Sequence, residues 1–111
     1  MDRYTKAQKK RLSRLRDTAY ERELNQELEK LYRDFKRWRN EEIHGFELND
    51  LIHKHHQGPS RELWKFYSYA DPDTAVVRAV KLDFIKKEEI PDDILQSIAP
   101  RFDLFRYNDE S

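Results

Sequence analysis

Glycine occurs only twice in 111 residues, as Gly45 and Gly58. Tight β-hairpin turns draw on glycine to reach positive φ, so a chain this poor in it has little room for hairpins. Alternating strand patterns are also missing until the last dozen residues. Apolar spacing of three and four dominates instead, and this predicts an all-α fold. We expect a compact bundle of five or six helices around one long amphipathic helix, in a single domain spanning residues 1–111.

Composition sets limits on that core. Hydrophobic residues make up 37% and charged residues 40%, against about a quarter charged in an ordinary soluble domain. Lean hydrophobicity leans toward disorder, but 13% aromatics and zero formal net charge argue for folding. The absence of cysteine excludes disulfides, thiolate metal sites and a thiol nucleophile. The N-terminal "MDRYTKAQKKRLSRLR" has no apolar core of a secretory signal. No run reaches the roughly 18 apolar residues that suggest a membrane helix. The expectation is a cytoplasmic protein with no membrane partner.

Charge is segregated along the chain. Residues 1–16 carry seven basic side chains against one acidic, and residues 83–111 carry eight acidic against four basic. A neutral total therefore conceals a basic beginning and an acidic end, which can pair with each other or steer a partner.

Residues 1–17 read as a basic N-terminal helix or arm, with Thr5 a plausible N-cap of a segment running to about Arg16 and sparse apolar positions at Ala7, Leu12, Leu15 and Ala19. The apolar phase then slips. At the slip, Thr18 and Glu21 fit a capping box, so a break or bend near Asp17 is expected. Beyond it Leu24, Leu28, Leu31, Phe35 and Trp38 form a heptad seam. That helix would run to about Ile43, with Gly45 as its left-handed cap. A third helix over 46–57 carries Leu48, Leu51, Ile52 and His55, and "QGPS" is expected to break it. A fourth over 59–69 carries Leu63, Phe66, Tyr67 and Ala70. Asp71 and Pro72 are a favoured N-cap and N1 pair. They open the most apolar helix, 72–85, expected to be the most buried. Ile94, Leu95 and Ile98 mark a short further helix, Phe102, Leu104 and Phe105 are expected to be buried, and 108–111 reads as a frayed tail.

Three of the four histidines crowd into "LIHKHHQGPSREL". At about 100° per residue His55 points with Leu48, Leu51 and Ile52, whereas His53 and His56 point elsewhere. They do not converge, and the spacing matches no metal signature. The reading assigns no metal and no cofactor, with His55 packed against the core. A candidate anion or ligand site remains at His53, His56, Gly58, Ser60 and Arg61, where a helix start after Gly58-Pro59-Ser60 would offer free N–H groups. The basic row Lys6, Lys9, Lys10, Arg11 and Arg14 is a candidate for nucleic-acid phosphates, although a solvated face paired with acidic neighbours explains it as well. Glycine-rich phosphate loops and nucleophile elbows are absent, and no catalytic residues are assigned. Trp38, Trp64, Tyr67 and Tyr69 read as core and interface aromatics.

The stretch over residues 38–67, with Trp38-Arg39, "FELND", "IHKHH" and "RELWKFY", resembles a family of small uncharacterised bacterial proteins. The resemblance implies a bacterial cytoplasmic protein, supplies no activity, and would place any site around His53, His56, Gly58 and Arg61. A small non-catalytic interaction or regulatory protein is the expected function. Its seam should finish its burial by self-association or against another protein. The alternatives are a small enzyme or anion- or metal-binding protein using His53, His56 and Arg61, and nucleic-acid binding through the N-terminal helix.

Overall fold

The computed structural model describes residues 3–110, with side chains over residues 3–102. Its described residues are all-α: α1 (Lys6–Arg39), α2 (Gly45–His55), α3 (Arg61–Tyr69), α4 (Pro72–Lys81) and α5 (Asp92–Glu110). A π-helical turn, His56–Ser60, joins α2 directly to α3, and a 3₁₀ turn, Lys87–Glu89, precedes α5. Because α2 and α3 run on through the π turn, the described residues make four separate helical stretches, not five or six.

Contacts gather the chain into two compact units, Met1–Tyr20 with Ala70–Ser111 and Glu21–Tyr69. Helix α1 contributes its first half to one and its second half to the other. It is unbroken over 34 residues, roughly 50 Å at 1.5 Å per residue. The expected break at Asp17 does not occur. No glycine or proline interrupts 6–39, and pairs such as Lys30–Glu27 at 3.1 Å and Arg37–Asp34 at 3.4 Å bridge its turns. Within a few residues of Asp17 the helix passes from the first unit to the second. Leu12 and Ala19 are buried before that point, and Glu23 is buried beyond it.

Thr5 caps α1 as expected. Its Oγ1 accepts from the Gln8 N–H at 3.1 Å, and its own N–H donates to Gln8 Oε1 at 3.0 Å. At the other end the helix stops at Arg39, short of Ile43. The left-handed residue is Glu41 (φ 63°), not Gly45. The Glu42 N–H reaches the Arg37 carbonyl at 2.8 Å and the Glu41 N–H the Trp38 carbonyl at 3.0 Å, a Schellman closure. Gly45 instead opens α2, where the His44 N–H donates to the Glu47 carboxylate at 3.3 Å.

The first unit holds the better-sealed core. Ala75, Val76, Val77 and Ala79 on α4 are wholly buried, as are Ile94 and Ile98 on α5, with Ile85 between them. This agrees with the apolar character of α4. That helix ends at Lys81, not at residue 85, closing on a left-handed Asp83 (φ 65°). Asp71 precedes Pro72 in extended backbone, as an N-cap does. Leu95 and Phe102 are half-buried, and Lys87 Nζ lies 5.2 Å from the Phe102 ring centroid. The backbone of α5 continues to Glu110, so residues 108–110 are helical. The side chains of Leu104 and Phe105, and Ser111 altogether, lie outside the described residues.

In the second unit Ile43, Leu48, Leu63 and Tyr67 are buried. Tyr67 donates its hydroxyl proton to the Glu23 carboxylate at 2.7 Å. This lets a charged side chain sit inside, because a buried polar atom with a partner avoids the desolvation cost.

Candidate interaction surface

The second unit leaves large apolar side chains uncovered. Leu28, Tyr32, Phe35, Trp38, Phe46, Trp64 and Tyr69 are all exposed, from 39% for Phe35 to 88% for Phe46. The heptad seam expected on α1 is therefore only partly covered within the chain. Its members divide. Leu24 and Leu31 are half-buried, and Leu31 lines a shallow groove with Leu51, His55 and Pro59. Leu28, Phe35 and Trp38 stay outside, joined by Tyr32. The two short helices opposite bury little: α2 only Leu48, and α3 only Leu63 and Tyr67.

Local chemistry shapes this surface. Lys36 Nζ sits 5.4 Å from the Tyr32 ring centroid, a cation over an aromatic face. Trp64 and Tyr69 meet edge to face at 6.5 Å, so two exposed rings hold each other in place. Exposed large apolar side chains that gather into a patch mark contact sites. Of the aromatics expected to be core or interface, Tyr67 is core and Trp38, Trp64 and Tyr69 are exposed.

The histidine stretch behaves otherwise than its crowding suggests. His53 and His56 are exposed, and His55 is half-buried in the groove, not packed in the core. Among the described residues no three histidine, aspartate or glutamate side chains gather as a metal site. Gly58, Pro59 and Ser60 do not open a helix. They lie inside the π turn, and the Arg61 N–H already donates to the Gly58 carbonyl. The wider turn accommodates Pro59, which lacks an N–H and would clash in a regular α-helix. The free helix start that motivated an anion site is therefore absent, and Arg61 is exposed beside it.

Of the basic row, Lys6, Lys9, Lys10 and Arg14 are exposed, and Arg11 is half-buried. Arg11 pairs with Asp93 at 3.0 Å, and Gln8 donates to the same carboxylate at 3.1 Å. The side-chain bond from Gln8, then the Arg11 charge, holds the Asp93 carboxyl below its ordinary range. Here the basic beginning and the acidic end do meet.

One polar cluster has no counterpart in the sequence reading. Asp73, in the first turn of α4, is buried. It accepts from the Tyr4 hydroxyl at 2.9 Å, from the Thr74 N–H at 2.7 Å and from the Arg101 guanidinium. Arg101 also donates to Thr74 Oγ1 at 3.0 Å. Burial alone would raise the Asp73 carboxyl, but the Tyr4 and Thr74 bonds and the Arg101 charge outweigh it and hold it below the usual range. Burial, and then the bond to Asp73, pushes the Tyr4 hydroxyl upward. Tyr4 and Asp73 also border a cleft of about 300 Å³ floored by Leu12 and Pro72. The acid at the helix start was readable, but its partners at 4 and 101 come from far along the chain. Every acceptor position is occupied by this chain's own donors, so the cluster reads as a clasp.

No described helix is long and apolar enough to cross a membrane. No protein-family model, curated protein or solved structure matches the chain.

Proposed function

We propose that this chain is a small non-catalytic interaction or regulatory protein, acting in the cytoplasm, whose contact surface is the exposed aromatic side of the second unit. The supporting observation is that Leu28, Tyr32, Phe35, Trp38, Phe46, Trp64 and Tyr69 are left in water by a chain with few apolar residues to spare. Aromatic side chains supply large contact area at little entropic cost, and they dominate the energetically important positions of protein interfaces. The polar clusters are engaged internally, as the Asp73 and Asp93 bonds illustrate, and this leaves the apolar surface as the outstanding feature.

The test compares wild type with a triple variant, Tyr32→Ser, Phe46→Ser and Trp64→Ser, under chemical crosslinking. Circular dichroism should be unchanged because all three side chains are exposed. A protein, or a second copy of the chain, that is crosslinked by wild type and lost in the triple variant is the expected outcome. Equal crosslinking by the two proteins would sink the reading.

A further inference from the structure

Along the second half of α1, one row of exposed side chains reads Glu21, Asn25, Leu28, Tyr32, Phe35, Arg39. The spacings are 4, 3, 4, 3 and 4. At 100° per residue the six positions fall within an arc of about 80°, and the row is about 27 Å long. It therefore has the geometry of a coiled-coil seam. Its order has a further property. Reversing the row places the acid on the base, Asn25 on Phe35 and Leu28 on Tyr32. The spacing is palindromic about Lys30, so the reversed row stays in register over its full length.

We infer that this face binds a second copy of the chain, with the two α1 helices antiparallel about a two-fold axis near Lys30. This rests on the reading of the second unit as a contact surface and names its occupant. Charge complementarity selects the second copy: each copy sets Glu21 opposite Arg39 of the other, twice by symmetry, and Leu28 opposite Tyr32 at the centre. A parallel pair would oppose Glu21 to Glu21 and Arg39 to Arg39, so it is disfavoured. An isologous contact of this kind closes on itself and stops at two copies. The register also carries a cost. Glu29 flanks the row beside the axis and faces its own copy, while Arg22 and Lys36 share an edge. Both like-charge contacts are at the rim, where solvent screens them.

Analytical ultracentrifugation of the full chain across a concentration series tests this. Wild type is expected to dimerise, and Phe35→Asp to remain monomeric with unchanged circular dichroism. Glu21→Arg and Arg39→Glu each turn two attractive contacts repulsive and should each weaken the dimer about tenfold. The double variant E21R/R39E restores it, and mixing the two single variants gives a heterodimer that neither forms alone. Because the chain has no cysteine, Asn25→Cys mixed with Phe35→Cys should form a disulfide between copies, whereas Asn25→Cys alone should not. A dimer indifferent to both charge reversals, or an Asn25→Cys protein that crosslinks to itself, overturns the antiparallel register. Wild type that stays monomeric at several hundred micromolar overturns the second copy altogether. The crosslinking comparison then decides separately whether the surface has some other protein partner.

Discussion

The two units use their apolar residues in opposite ways. The first unit places small and branched aliphatics where water does not reach: Ala75, Val76, Val77, Ala79, Ile94 and Ile98 are each 0% exposed. Among its described residues the large exposed apolar side chain is Leu82. The second unit buries Ile43, Leu48, Leu63 and Tyr67 incompletely and holds seven large side chains outside. Cores close by packing shape, and the small aliphatics on the contacting helices α4 and α5 are sealed from water. Aromatic rings on the short helices α2 and α3 lack a second layer to pack against. Sealed aliphatic positions are thus concentrated in one unit and uncovered large apolar side chains in the other.

The sharpest way to break the comparison is to truncate one apolar side chain in each unit. Ile98→Ala empties a sealed position and should cost about 3 kcal/mol, within the range for large-to-small core changes. Phe35→Ala removes a bigger side chain from a surface, and in the monomer it should cost only about 0.5 kcal/mol. Denaturant titration at a concentration low enough to exclude association measures both. Comparable losses would mean that Phe35 is packed and that the contrast between the units fails.

Next in size is the Asp73 clasp, which sharpens the comparison by asking how the sealed unit tolerates a charge. Asp73→Asn keeps the shape but leaves the Arg101 guanidinium without its counter-charge, and it should cost about 2 kcal/mol near neutral pH. The folded-state carboxyl lies below its ordinary value. Its stabilisation is therefore fully present above the unfolded-state pKa of about 3.9 and is lost as pH falls through the lower folded-state value. The gap between wild type and Asp73→Asn should then hold steady from pH 7 to about 5 and narrow in more acidic solution. A gap that widens as the solution is acidified would show that the carboxylate is not stabilised by its partners.

How much of this was readable in the sequence depends on whether the determinant is local. The all-α fold followed from glycine poverty and apolar spacing. The Thr5 cap, the Asp71-Pro72 start and the burial of α4 are also local, and each appears in the structure. The apolar slip near Asp17 was legible too, but it marks no break: the helix runs unbroken through it and passes from one unit to the other a few residues on. "QGPS" misled because proline and glycine usually end a helix, whereas a π turn absorbs Pro59 at the cost of one wider loop. Helical angle sets His55 apart from His53 and His56 in the sequence, yet His55 sits in a groove, not in the core. The uncovered surface was half legible. The seam on α1 was visible, but exposure is a property of what fails to cover it. The link among Tyr4, Asp73 and Arg101 spans 69 and 28 residues, and no local pattern encodes it.

The smallest effect compares the two units at equivalent positions. Each closes a helix with a Schellman turn whose left-handed residue is acidic: Glu41 after α1 (φ 63°) and Asp83 after α4 (φ 65°). In the first unit the Phe84 N–H reaches the Ala79 carbonyl at 2.8 Å, matching the Glu42 to Arg37 bond in the second. Glycine adopts this conformation without the Cβ clash that costs other residues about 1 kcal/mol or more. Aspartate enters it more readily than glutamate, because its short side chain bonds the local backbone. Glu41→Gly should therefore stabilise the protein by about 0.5 to 1 kcal/mol, and Asp83→Gly by less, since added freedom in the unfolded chain offsets part of each gain. Thermal unfolding of the two variants beside wild type checks the order. A larger gain at 83 than at 41 would mean that the strain sits in the sealed unit, where tight packing of Ala79 leaves the turn no room to relax.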